Sequence, residues 1–149
     1  MTVSPDGKSV YVASYSWSAV ARLIRNTTTG AISQPAGAVG CISETGAGLC
    51  ADGHVLDGAL SVAVSPDGKS IYTASYFSDA VARLNRNTTS GAITQPAGTA
   101  GCISQTGAGP CADGHGLDGA LSVTVSANGK STYVASLFSN AVARFNRAP

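Results

Sequence analysis

"ALSVAVSPDGKSIYTASYFSDAVARLNRNTTSGAITQPAG", residues 59–98, decides how this chain folds. Its first segment, "ALSVAVS" (59–65), alternates apolar and small polar side chains, the period of a half-buried strand. "PDG" follows, and a proline at the second turn position presets the φ that a type I turn requires. "KSIYTAS" (69–75) is rich in β-formers, and "AVARLNRN" (80–87) alternates again. "TTSG" predicts the next turn, and "AITQPAG" (92–98) predicts a short fourth strand that Pro96 confines to an edge. Four short antiparallel strands in about 40 residues, the last one weak, make one blade of a β-propeller.

The same text recurs along the chain. Aligning Ser4 with Ser65 and Ser126 gives a spacing of 61, and residues 4–64 differ from 65–125 at only 14 of 61 positions. A period this strict signals a modular array in which each unit buries its face on the next. The expected organisation is one all-β domain over 1–149, a partial propeller completed by oligomerisation. Blade 1 takes 1–37, a cysteine loop 38–58, blade 2 59–98, a second cysteine loop 99–118 and a three-stranded blade 3 119–149.

Bulk composition agrees with an all-β class. Of 149 residues, 44% are hydrophobic and only 11% charged, with 18 glycines. A net charge of +1 provides no field for nucleic acid or a membrane surface. No run of 18 apolar residues occurs, and "MTVSPDGK" does not read as a signal peptide.

All four cysteines and both histidines lie in "GCISETGAGLCADGHVLDGA" (40–59) and its repeat "GCISQTGAGPCADGHGLDGA" (101–120). Identical short spacings make Cys41–Cys50 and Cys102–Cys111 the natural disulfides, each stabilising by roughly 2–3 kcal/mol on the chain-entropy model. Disulfides imply an oxidising compartment, extracellular or periplasmic. The alternative is one zinc site built from four thiolates, although C-x8-C lacks the tight spacing of zinc knuckles.

"ADGHVLDGA" adds Asp52, His54 and Asp57, and its repeat adds Asp113, His115 and Asp118. Carboxylate with imidazole suits Zn²⁺, whereas carboxylates and carbonyls alone suit Ca²⁺, so a divalent metal is a candidate cofactor. One loop supplies too few ligands; several loops converging on an axis could supply enough. The alternative is that the aspartates cap turns, with Gly53 and Gly58 providing special dihedrals, while the histidines are surface side chains copied with the repeat. Asn26 and Asn87, each followed by two threonines, fit either a glycosylation acceptor or, more simply, an Asx-type turn.

"VAVSPDGKSIYTAS" followed by "DAVARLNRN" resembles the YVTN-type repeat of bacterial seven-bladed propellers, a group similar in turn to lactonase-like propellers. The likeness covers nearly all of the chain outside the cysteine loops. It implies that the first strand of each blade lines a central channel and that the fourth lies outside. It also implies that the cysteine loops share the ligand face with the turns "YSWSA" (15–19), "YFSDA" (76–80) and "LFSNA" (137–141). Tyr15, Trp17, Tyr76, Phe77 and Phe138 are then the candidate ligand-binding residues. That face is neutral to acidic, because no Lys or Arg occurs between Arg25 and Lys69 or between Arg86 and Lys130. Arg22, Arg83 and Arg144 are expected to form a ladder along the third strands.

No G-x-S-x-G, H-E-x-x-H or phosphate-cradling glycine loop is present. The leading expectation is a binding or scaffold module for a small-molecule ligand or partner. The second is a metal-dependent lactonase or phosphoesterase whose metal lowers the pKa of bound water. The third is a propeller fragment without an activity of its own. Three blades do not close a ring, so self-association is expected. A head-to-tail dimer with six blades ranks above a nine-bladed trimer. Such a dimer would turn two His54 and two His115 towards one centre.

Overall fold

In the computed structural model, which describes residues 1–147, the chain forms three sheets in sequence order. The first contains β1 (Thr2–Val3), β2 (Ser9–Ser14), β3 (Ala19–Arg25), β4 (Ile32–Ser33), β5 (Cys41–Ser43) and β6 (Ala51–Asp52). The second repeats it as β7 (Ala59–Val64), β8 (Ser70–Ser75), β9 (Ala80–Arg86), β10 (Ile93–Thr94), β11 (Cys102–Ser104) and β12 (Ala112–Asp113). The third has β13 (Ala120–Val125), β14 (Ser131–Ser136) and β15 (Ala141–Asn146). Among the described residues the only helical pieces are three short 3-10 turns, so the fold is all-β and its sheets are propeller blades. The last two residues assigned to blade 3 lie outside the described residues.

The "SPDGK" turns close as expected. Gly7 N–H donates to Ser4 O at 2.8 Å, Lys8 N–H to Asp6 Oδ1 at 3.0 Å and Ser9 N–H to Ser4 Oγ at 3.0 Å. One serine and one aspartate thus satisfy the backbone donors of a turn whose proline has none to offer.

The outer strand differs from the expected one. It is split: β4 pairs Ile32 with Arg25, and β5 pairs Cys41 with Ala21 and Ser43 with Ala19. A 3-10 turn at Gly37–Val39 bridges the halves, next to Pro35, which cannot donate to a ladder. The expected boundary at residue 38 therefore cuts through this strand, and "CIS" is blade rather than loop. β6 then pairs with β5 in parallel, adding a further short strand at the rim.

Burial concentrates in two clusters, and both are seams between blades. Tyr11, Val20, Ile42 and Leu56 meet Val62, Ile71, Leu84 and Ile93 across the first seam. Tyr72, Val81 and Leu117 meet Ala120, Val123 and Val134 across the second. Leu56 and Leu117 come from the cysteine segments and are 0% exposed, each worth about 2 kcal/mol on burial. Each segment therefore anchors one leucine in the core while most of its other side chains face solvent.

Candidate functional site

Cys41 is bonded to Cys50 and Cys102 to Cys111, which removes the four-thiolate zinc alternative. Inside the first segment, a Glu44 carboxylate oxygen accepts from the Leu56 N–H, and Gln105 Oε1 accepts from Leu117 N–H at 2.7 Å in the second. Glu44 therefore braces its own segment.

Asp57 and Asp118 stand where each segment enters the next blade. Asp57 Oδ1 accepts from Ser18 Oγ at 2.8 Å, and its carbonyl accepts from Phe77 N–H at 3.2 Å. Asp118 repeats the backbone part, its carbonyl accepting from Phe138 N–H at 3.1 Å and its N–H donating to Ser139 Oγ at 3.0 Å. The partners Ser18 and Asp79 sit in the left-handed region, with φ of 47° and 48°. That conformation aims their side chains at the neighbouring blade: Gly58 N–H donates to Ser18 Oγ at 3.2 Å and Gly119 N–H to Asp79 Oδ1 at 2.7 Å. Of the two glycines expected to supply special dihedrals, Gly58 does so with φ +68°. Gly53 does not; a Cβ there would lie 2.8 Å from Ile42 and 2.9 Å from Leu56, so its role is close packing.

His54, His115, Asp52 and Asp113 are exposed. The His54 main chain is held by Gln95, whose Oε1 accepts from His54 N–H at 2.6 Å. Among the described residues, no three His, Cys, Asp or Glu side chains gather closely enough to hold an ion. No three of the six expected metal ligands thus come together within one copy of the chain, among the described residues. Asn26 makes the turn-forming choice, its Oδ1 accepting from Thr28 and Thr29 N–H at 2.9 Å each.

The aromatic residues, by contrast, come together. Tyr15 of blade 1 contacts Phe77 of blade 2 with ring centroids 5.4 Å apart. Phe77 contacts Tyr76 at 5.1 Å, and Tyr76 contacts Phe138 of blade 3 at 5.7 Å. Four rings therefore run across both seams as one strip. Phe77 and Phe138 remain 57% and 59% exposed, an unusual cost for side chains of this size. A Cβ on Gly58 would meet the Phe77 ring at 2.9 Å, and one on Gly119 the Phe138 ring at the same distance. The glycines are thus the floor on which the two phenylalanines lie. Trp17, 75% exposed, stands in the same turn as Tyr15. The segments that form this end contain no Lys or Arg and carry Asp52, Asp57, Asp79, Asp113 and Asp118.

Cations occupy the opposite end. Arg86 donates to Asp6 Oδ2 at 2.8 Å, to Gly68 O at 3.1 Å and, through Nε, to the Tyr11 hydroxyl at 2.8 Å. The Tyr11 hydroxyl in turn donates a hydrogen bond to Gly91 O at 2.6 Å. Arg147 repeats the bridge to Asp67 at 2.6 Å. The Ser4 hydroxyl and the Arg86 guanidinium hold the Asp6 carboxyl well below its ordinary range, although burial opposes them. At Asp67 burial is the larger opposing influence, and the Ser65 hydroxyl and Arg147 overcome it to hold that carboxyl low as well. Sequence reasoning missed this clamp, because it joins residues 80 apart whose proximity follows only from stacking the blades. Of the expected arginine ladder, Arg22 is buried and donates to Ser90 O, while Arg83 and Arg144 bond to Asn85 and Asn146. A cleft of about 250 Å³ lined by Tyr72, Val81, Ile103, Thr132 and Phe145 opens at the second seam, away from the aromatic strip.

No family model matches the chain, and no curated protein matches it. Solved structures do. A protein from Lactobacillus plantarum superposes with a TM-score of 0.72 at 22% identity, over 99% of this chain and 36% of its own. A 6-phosphogluconolactonase candidate from Bacteroides uniformis gives 0.68 at 21%, over 99% and 35%. The Cps50 (Swd1) β-propeller domain of Myceliophteria thermophila gives 0.55 at 9%, over 99% and 39%. These likenesses show the propeller fold. The chain spans about a third of the length of the first two.

Proposed function

We propose that this chain is a ligand-binding propeller module whose site is the strip Tyr15–Phe77–Tyr76–Phe138, flanked by Trp17. The observation that carries the reading is four touching rings, held across two seams and left open to solvent at an end without a cation. Ring faces attract cations and stack on apolar rings, by about 0.5–2 kcal/mol per cation–π contact. Nearby carboxylates reinforce the preference for a cationic or neutral ligand and oppose an anion. A phosphorylated sugar lactone, the substrate class in the name of the Bacteroides uniformis neighbour, would meet carboxylates here with nothing to neutralise it. The two disulfides fit an oxidising compartment, so such a module works outside the cell or in a periplasm.

Trp17 is the only tryptophan, so its emission reports on the strip. Titration with choline is expected to shift that emission, and the shift is lost in a Phe77→Ala/Phe138→Ala variant. Glucose 6-phosphate is expected to leave it unchanged. An emission that responds to glucose 6-phosphate and not to choline, or a choline response intact in the double variant, overturns the reading.

The hydrolase reading would need His54 and His115 from more than one copy to complete a metal shell, as the expected dimer provides. Zinc uptake by the assembled protein that disappears in His54→Ala/His115→Ala is its test.

A further inference from the structure

The aromatic strip is one pair of rings repeated. Tyr15 meets Phe77 across the first seam, with centroids 5.4 Å apart, and Tyr76 meets Phe138 across the second at 5.7 Å. Each member of the second pair stands 61 positions after its counterpart in the first, the period of the chain. Phe77, with a blade on either side, is 57% exposed and Phe138 59%. The openness of these rings therefore belongs to the repeat and not to a blade's place in the array.

What differs is the residue that caps each glycine floor. At the first pair Gly58 N–H donates to Ser18 Oγ, and the same hydroxyl donates to Asp57 Oδ1 at 2.8 Å. One carboxylate is present there, and a donor already engages it. At the second pair Asp79 takes the place of Ser18, and its Oδ1 accepts from Gly119 N–H at 2.7 Å. Gly119 is the floor of the Phe138 ring, so this carboxylate lies at the base of the pair. Asp118 precedes Gly119 in the chain and finds a carboxylate where Asp57 finds a hydroxyl. Two negative charges thus flank the second pair, against one at the first.

We infer that Asp79 divides the strip into two unlike subsites. Tyr76–Phe138 takes a cationic group, and Tyr15–Phe77, flanked by Trp17, takes an uncharged apolar one. The inference rests on the reading of the strip as a ligand site, and it names the ligand class: an organic monocation joined to an apolar or aromatic group. A ring face attracts a cation through its quadrupole, and an adjacent carboxylate adds to that attraction. An uncharged ring gains from stacking alone. Phe77 and Tyr76 touch at 5.1 Å, so the subsites adjoin and one small ligand can span both.

The test is calorimetric titration of the intact chain with choline and with benzyltrimethylammonium, a cation of the same charge that carries a ring. Asp79→Asn keeps the Oδ1 acceptor for Gly119 and removes only the charge. Asn140 holds the same place in the third repeat with φ 47°, against 48° for Asp79, so the fold should be retained. Choline affinity is expected to fall about three- to tenfold in Asp79→Asn, and further in Phe138→Ala than in Tyr15→Ala. Benzyltrimethylammonium should bind about three- to tenfold tighter than choline, an advantage that Tyr15→Ala reduces. Choline binding that depends on Phe77 and Phe138 but ignores Asp79→Asn overturns the division and leaves the strip as a ligand site. So does a greater loss in Tyr15→Ala than in Phe138→Ala, or a ring that brings no gain. If neither cation binds, the strip reading falls and the division with it.

Discussion

The two ends of each seam solve opposite problems. At the turn end, a buried arginine and tyrosine meet an aspartate at the rim; the Arg86 side chain is 2% exposed and that of Asp6 32%. At the segment end, hydroxyls and backbone groups do the joining, and the large rings are left half in solvent. The difference teaches where rigidity and recognition are separated. Charges that hold blades together would neutralise or repel a ligand if they stood beside the rings. Placing them at the far end keeps the aromatic strip free of cations without weakening the stack.

Breaking the buried end should cost most. Arg86→Ala removes charge-assisted bonds to Asp6, the Tyr11 hydroxyl and the Gly68 carbonyl, leaving Asp6 with Ser4 and Tyr11 with Gly91, and is expected to destabilise by about 3 kcal/mol in urea unfolding. Arg147→Ala should cost less, because Asp67 is more open to water than Asp6. Neither change should alter the choline titration.

Reduction of the disulfides comes next, at about 2–3 kcal/mol for each local loop of this length, read from the unfolding midpoint with and without reductant. Gly58→Ala should lose about 1–2 kcal/mol and also weaken the ligand response, since a Cβ both strains a φ of +68° and displaces the Phe77 ring.

Acid should act on one end only. Asp6 and Asp67 have carboxyls held below the ordinary value of 3.8, so their stabilisation is fully present above that pH. It is lost as pH falls below about 4, through the lower native values. Unfolding midpoints should therefore stay flat from neutrality down to about pH 4 and then decline, more shallowly in Arg86→Ala.

The smallest effect on stability is expected at the other end. Phe77→Ala removes a ring already 57% exposed and should cost less than about 1 kcal/mol. Ligand affinity should nevertheless fall about tenfold or more, because the ring links both seams of the strip. A large stability loss with unchanged affinity would reverse the assignment of the two ends.

Strand alternation, the "SPDGK" turns and the period of 61 determined the all-β class, the blade and the number of units, because each depends only on neighbours close in the chain. Equal spacing likewise made Cys41–Cys50 and Cys102–Cys111 legible, and the concentration of Tyr15, Phe77 and Phe138 in turns marked one end as aromatic. Other features required blades to be stacked. The splitting of the outer strand depends on which half of β3 each piece reaches, and the alternation pattern is silent about that. Leu56 and Leu117 look like loop residues in sequence, yet they are core because the seam closes over them. Asp57, a candidate metal ligand by sequence, accepts a hydrogen bond from Ser18, a residue 39 positions away that sequence gives no reason to pair with it. The joining of four rings into one strip and the Asp6–Arg86–Tyr11 clamp have the same origin. Both are contacts between units, and a repeat states what each unit is while only tertiary structure decides which of its atoms meet the next.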